Sequence, residues 1–123
     1  DTLEASDAAI LNAAKAAKLT EINAECQKAA AALAKDYPDS EVQSWPQQVK
    51  EATALSADPQ ADAPLLTAIA TARGLPVAEL ASRVLDKTNA YAGASGALIG
   101  RRQAAEDLID VAATPEDVAG IAW

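Results

Sequence analysis

The chain has 123 residues with no histidine, phenylalanine or methionine, and its 18 acidic against 10 basic residues leave a formal charge of −8. A chain of this length makes one ordinary domain that buries roughly two-thirds of its unfolded surface, and its charge repels nucleic-acid phosphates and anionic lipid faces. No apolar run approaches the ~20 residues that span a bilayer, the acidic start Asp1-Thr2-Leu3-Glu4 lacks the basic opening of a secretory signal, and the lone Cys26 excludes an intrachain disulfide and points to a reducing compartment.

From Thr2 to Lys35 the chain is rich in alanine and free of glycine and proline, which predicts one long helix or two collinear ones. Leu19, Ile22, Cys26, Ala29 and Leu33 recur at three- and four-residue steps as a narrow seam of the coiled-coil kind. Leu3, Ile10, Ala14 and Ala17 are a weaker version of it, so residues 1–18 are expected to be a less well packed helical extension. Asp36-Tyr37-Pro38-Asp39 should end the helix, since Pro38 disfavours the helical region at Tyr37 and Asp39 or Ser40 can cap the second helix.

That second helix carries Val42, Trp45, Val49, Ala52 and Leu55 on one stripe. Pro46 suits only a first turn, and Ser44 with Gln47 can form a capping box, so the start is expected at Trp45. Residues 57–64, Ala-Asp-Pro-Gln-Ala-Asp-Ala-Pro, read as an extended connection and the hinge of the molecule. A short helix from Pro64 to Arg73 should bury Leu65, Leu66 and Ile69 and stop at Gly74 in the left-handed conformation.

Leu75-Pro76 then opens the last long helix. Its predicted stripe runs Val77, Leu80, Val84, Thr88, Tyr91, Ser95, Leu98, Arg102, Ala105, Leu108 and Ala112. Thr114-Pro115-Glu116-Asp117 combines a capping hydroxyl, proline at the first helical position and acids in the first turn, which predicts a brief terminal helix to Gly120 with Ile121 and Trp123 as an apolar tail. No stretch alternates with β-branched enrichment. The expected fold is all-α: a small elongated bundle of two long and two to three shorter helices, with a single thin, alanine-rich core over residues 19–123 that can finish its burial against a second chain.

Chemistry is hard to place on these residues. Glu106-Asp107 and Glu116-Asp117 are adjacent pairs that point about 100° apart on a helix and do not converge on one substrate atom. Cys26 lies on the apolar seam with no base beside it, and a lone thiol with scattered carboxylates makes no metal-ligand set. Neither catalytic residues nor a cofactor or metal is therefore expected.

Binding is better represented. Gly93, Gly96 and Gly100 each cost about 1 kcal/mol against alanine in a helix interior. Three readings of them stand: a phosphate cradle, a close approach of another helix, or a kink. Arg101 and Arg102 suit a carboxylate-bearing partner or an internal pair with Glu106 or Asp107. Trp45 is a core plug or an anchor, and Trp123 either tucks into the bundle or serves a partner.

Three runs carry a family likeness: Leu65-Leu66-Thr67-Ala68-Ile69-Ala70-Thr71-Ala72-Arg73-Gly74, Glu79-Leu80-Ala81-Ser82-Arg83-Val84, and Ser95-Gly96-Ala97-Leu98-Ile99-Gly100-Arg101-Arg102-Gln103-Ala104-Ala105-Glu106-Asp107. With Glu21-Ile22-Asn23-Ala24-Glu25-Cys26, Tyr37-Pro38 and Glu41-Val42-Gln43-Ser44-Trp45-Pro46, they make about residues 18–123 similar to the helical C-terminal region of tail-fibre assembly proteins and related small tail proteins of tailed bacteriophages. The resemblance implies a non-enzymatic chaperone that binds the distal part of a trimeric tail fibre in the host cytoplasm during phage assembly. The alternative is a structural tail component retained in the virion. Family members commonly carry a further N-terminal segment; if that segment binds the fibre, the helical part is expected to be the scaffold or a dimerisation module. On either reading the partners are the fibre or a second copy of the chain, with neither nucleic acid nor membrane. The partner-binding set is expected to be Trp45, Tyr91, Gly96, Ile99, Gly100, Arg101, Arg102 and Trp123.

Overall fold

A computed structural model describes residues 2–123, with side chains from residue 4 onward, so the seam position expected at Leu3 lies outside the described side chains. Five helices and no strand occur among the described residues: α1 (Thr2–Leu33), α2 (Asp39–Ala57), α3 (Pro64–Arg73), α4 (Val77–Val111) and α5 (Pro115–Ala119). The protein is all-α, with two long helices and three shorter ones. No described helix is both long and apolar enough to cross a membrane.

The chain divides into two compact units. In the first, α1 joins Ser95–Trp123. Ile22, Ala105 and Ile109 are buried together, and Leu19, Ile121 and Trp123 pack against them. Cys26 is half-buried on the α1 seam, with its Sγ 3.9 Å from the Leu98 carbonyl oxygen. Lys15 Nζ donates to the Asp110 carbonyl at 3.1 Å. These contacts run in opposite directions along the two helices, so α1 and residues 95–111 of α4 lie antiparallel. Thr114 caps α5 as its sequence predicts: Asp117 N–H donates to Thr114 Oγ1 at 3.1 Å, with Pro115 opening the helix.

The second unit is Ala34–Ala94. Ala52, Ala63, Leu66, Ala70, Leu80 and Ala81 form its buried cluster, with Leu55, Ile69, Val77, Val84 and Leu85 around it. Gly74 ends α3 at φ 69°, the one left-handed residue among those described, and its N–H returns to the carbonyl of Thr71. A side chain at Gly74 would be strained whatever the space around it.

Several sequence expectations need correction. Buried side chains form two clusters, not the single core expected over residues 19–123. The reason is legible in α4: residues 86–97 contain no leucine, isoleucine or valine, so no large aliphatic side chain joins the Val84-Leu85 group to the Leu98-to-Ile109 group, and Tyr91 between them is exposed. Helix α2 begins at Asp39, not Trp45, and holds Pro46 in its interior. The Ser44 hydroxyl donates back to the Glu41 carbonyl at 2.6 Å, so it serves the helix interior and not a cap. Neither Asp39 nor Ser40 is the cap of α2; Pro38 holds that position, without a side-chain bond.

Two burial assignments also change. The α4 stripe steps from Ala105 to Ile109, which is 3% exposed, leaving Leu108 56% exposed. In α3 only Leu66 of the three apolar residues is fully buried, with Leu65 and Ile69 half-buried. The 57–64 connection is a closed turn: Asp58 Oδ1 accepts from Gln60 N–H at 2.9 Å, Ala61 N–H donates to the Asp58 carbonyl at 2.9 Å, and Ala63 is buried.

Candidate functional site

The eight residues expected to bind a partner fall into two groups, one in each unit. Trp45 and Tyr91 belong to the Ala34–Ala94 unit, where Tyr37 joins them. Trp45 lies edge-on to both tyrosines, with ring centroids 5.2 Å from Tyr37 and 5.6 Å from Tyr91. Such contacts add about 0.5–1.5 kcal/mol beyond area burial. Trp45 is half-buried between two exposed tyrosines and outside the buried cluster, so it is the middle of an aromatic trio and not a core plug. Tyr37 was missed because it lies in the α1–α2 turn, off any helical stripe.

The other six residues belong to the first unit. Gly96, Ile99 and Gly100 are exposed on α4, and Ile99 retains 48% of its surface. A Cβ built on Gly93, Gly96 or Gly100 meets no atom within 4 Å, so among the described residues no other helix approaches closely there. Close approach within the chain is therefore not what these glycines serve. The phosphate-cradle reading fails as well, because all three lie inside continuous helix where the backbone N–H groups are committed to helical bonds.

Arg102 and Arg101 have separate roles. Arg102 Nη1 donates to Glu106 Oε2 at 2.6 Å and to Asn23 Oδ1 at 3.3 Å, which is the internal pair on one helix plus a tie from α4 to α1. Arg101 pairs with no acid among the described residues. Its guanidinium lies 4.4 Å from the Trp123 ring centroid, and Nη2 donates to the Trp123 carbonyl at 2.9 Å. Trp123 is half-buried against Ile22, Ala105 and Ile109, so it tucks into the unit, with Arg101 closing over it. Replacing Arg101 with alanine should free the tail from residue 120 onward at a cost of about 1 kcal/mol. The readout is the Trp123 indole N–H resonance, which should move and broaden while that of Trp45 stays in place.

Of the acidic pairs, Glu106 is engaged by Arg102 and Asp107 is exposed, while Glu116 and Asp117 are exposed on the first turn of α5. Among the described residues no three histidine, cysteine, aspartate or glutamate side chains are placed to hold a metal ion.

Sequence reasoning missed Glu51. Its side chain is buried at 3% exposure between α2 and α3; Oε1 accepts the Leu66 N–H at 2.9 Å and Oε2 accepts from Gln47 Nε2 at 2.6 Å. Leu66 is the third residue of α3, so Glu51 caps that helix from a neighbouring one. The signal was available: α3 opens Ala63-Pro64-Leu65-Leu66, and Ala63 at the cap position has no side-chain oxygen to offer.

A family model described as the HI1402 helical domain matches residues 86–123, less than a third of the chain. That stretch holds the later part of α4, α5 and the tail, and with them every expected binding residue except Trp45. No curated protein and no solved structure matches the chain.

Proposed function

We propose that the chain is a non-enzymatic protein-binding module that escorts the distal part of a trimeric bacteriophage tail fibre during assembly in the host cytoplasm. The observation that carries the binding reading is the outward face of α4, where Gly96 and Gly100 flank a half-exposed Ile99 with open space above them. Glycine there weakens the helix, and among the described residues no atom comes within 4 Å of a Cβ at Gly96 or Gly100 in return. A partner surface laid on α4 would approach its backbone closely. The choice of a tail fibre as that partner rests on the resemblance of residues 18–123. An acidic helical protein suits the task, since the unassembled apolar surfaces of a fibre need temporary cover by something that stays in solution.

The test is co-expression with the receptor-binding end of a tail fibre, followed by size-exclusion chromatography with light scattering. A complex of defined stoichiometry, weakened at least about tenfold by Gly96→Leu with Ile99→Glu, is the expected result. Because Gly96 has no neighbour within 4 Å and Ile99 is half-exposed, those changes should leave the fold intact. Separate elution with unchanged fibre solubility would overturn the escort reading. Recovery of the chain from purified particles at fixed copy number would favour the structural tail component instead.

A further inference from the structure

A notch in the first unit lies apart from the α4 face. Asp7, Ala8, Ile10 and Leu11 of α1 face Ala113 and Thr114 of the α4–α5 connection and Pro115 and Glu116 of α5 across a cavity of about 380 Å³. Ala8, Ile10, Leu11, Ala113 and Pro115 are its apolar residues, and Ile10 keeps 56% of its surface. Asp7 and Glu116 supply its two carboxylates, and neither forms an ion pair among the described residues. Lys15, one turn beyond Leu11, is turned to the Asp110 carbonyl. Thr114 Oγ1 accepts from the Asp117 N–H.

We propose that this notch docks a basic side chain, lysine or arginine, of a partner polypeptide. Such a side chain joins an apolar stem to a cationic head, and the notch is lined by apolar side chains and unpaired carboxylates in the same small space. The volume sits at the low end of the range for ligand pockets, about 300–1,000 Å³, which admits one or two side chains and not a helix. The unit around it, α1 with Ser95–Trp123, carries ten acidic and five basic residues, so its field attracts the same kind of segment. The site uses none of the residues assigned to fibre binding and stands or falls separately from that reading.

The experiment is a titration of the isotopically labelled full chain with three blocked dipeptides, acetyl-Leu-Arg-amide, acetyl-Leu-Gln-amide and acetyl-Leu-Glu-amide, followed by amide and methyl chemical shifts. The arginine peptide should shift residues 7–11 and 113–116 selectively. Its affinity should fall at least about tenfold in Asp7→Asn with Glu116→Gln, and several-fold when salt rises from about 0.05 to about 0.5 M. Ile10→Asn should weaken it independently through the apolar half. All three substitutions are at exposed positions, and unchanged shifts elsewhere in each variant establish that it is folded. Equal response to the arginine and glutamine peptides, shifts spread over the acidic surface, or insensitivity to the neutralised pair would each overturn the proposal.

Discussion

Glu51→Ala is expected to destabilise the Ala34–Ala94 unit by about 3 kcal/mol, a large effect for a chain whose whole stability is of the order of 10 kcal/mol. The side chain is buried and satisfies two donors, the Leu66 N–H and the Gln47 amide. Truncation leaves the Leu66 N–H buried with no acceptor, which costs about 1–3 kcal/mol, and opens a void between α2 and α3 that adds to it. Glu51→Gln separates these contributions. Its Oε1 can still accept from Leu66, and the Gln47 amide can turn to present its oxygen, so the loss should stay near ~1 kcal/mol. Thermal melts check the totals, at roughly 4 °C per kcal/mol for a chain of this size. Hydrogen exchange checks the cause: in Glu51→Ala the Leu66 amide should lose protection ahead of the rest of α3. Equal melts for both variants would show that the carboxylate's two acceptors are not what holds α3 in place.

How much of this was legible in the sequence depends on whether the deciding partner was local. The long helices, the proline-marked starts of α3 and α5, the Thr114 cap and the Gly74 stop all follow from neighbours within four residues, and each is found where the residues put it. The α1 seam through Leu19, Ile22 and Cys26 is likewise buried or half-buried as its spacing requires. What failed needed non-local information. Pro46 points to a helix start at Trp45 because its own preference for a first turn is strong, yet the turns on either side continue the helix through it. Ile109 displaced Leu108 because the buried side of α4 is set by Ile22 and Leu19 on a distant helix, and both spacings satisfy a 3.6-residue period equally well. Glu51 and Tyr37 owe their roles to partners fifteen and eight residues away, beyond the reach of any periodic pattern. The binding set was legible only as residue types, since separation into an aromatic trio on one unit and the α4 face with the Arg101–Trp123 closure on the other is a property of the fold.

Gly93→Ala, Gly96→Ala and Gly100→Ala combined should stabilise the protein by about 2–3 kcal/mol, raising the melting temperature by roughly 10 °C. Each glycine is helical and exposed, and an added methyl meets nothing within 4 Å, so the backbone entropy lost by glycine is recovered without a packing penalty. The three sites share no partner, and their gains should add to within a few tenths of a kcal/mol. The same triple variant bears on function, because three alanines thicken the α4 face by three methyl groups just where close approach is proposed. Greater stability together with weaker fibre capture would mean that glycine is kept at these positions for a partner's benefit. Greater stability with capture unchanged would move the binding surface off the glycine face of α4, leaving the Tyr37–Trp45–Tyr91 trio as the next group to mutate. A variant no more stable than the parent would mean that a second copy of the chain already covers this face in solution, and its light-scattering mass would then fall from dimer to monomer.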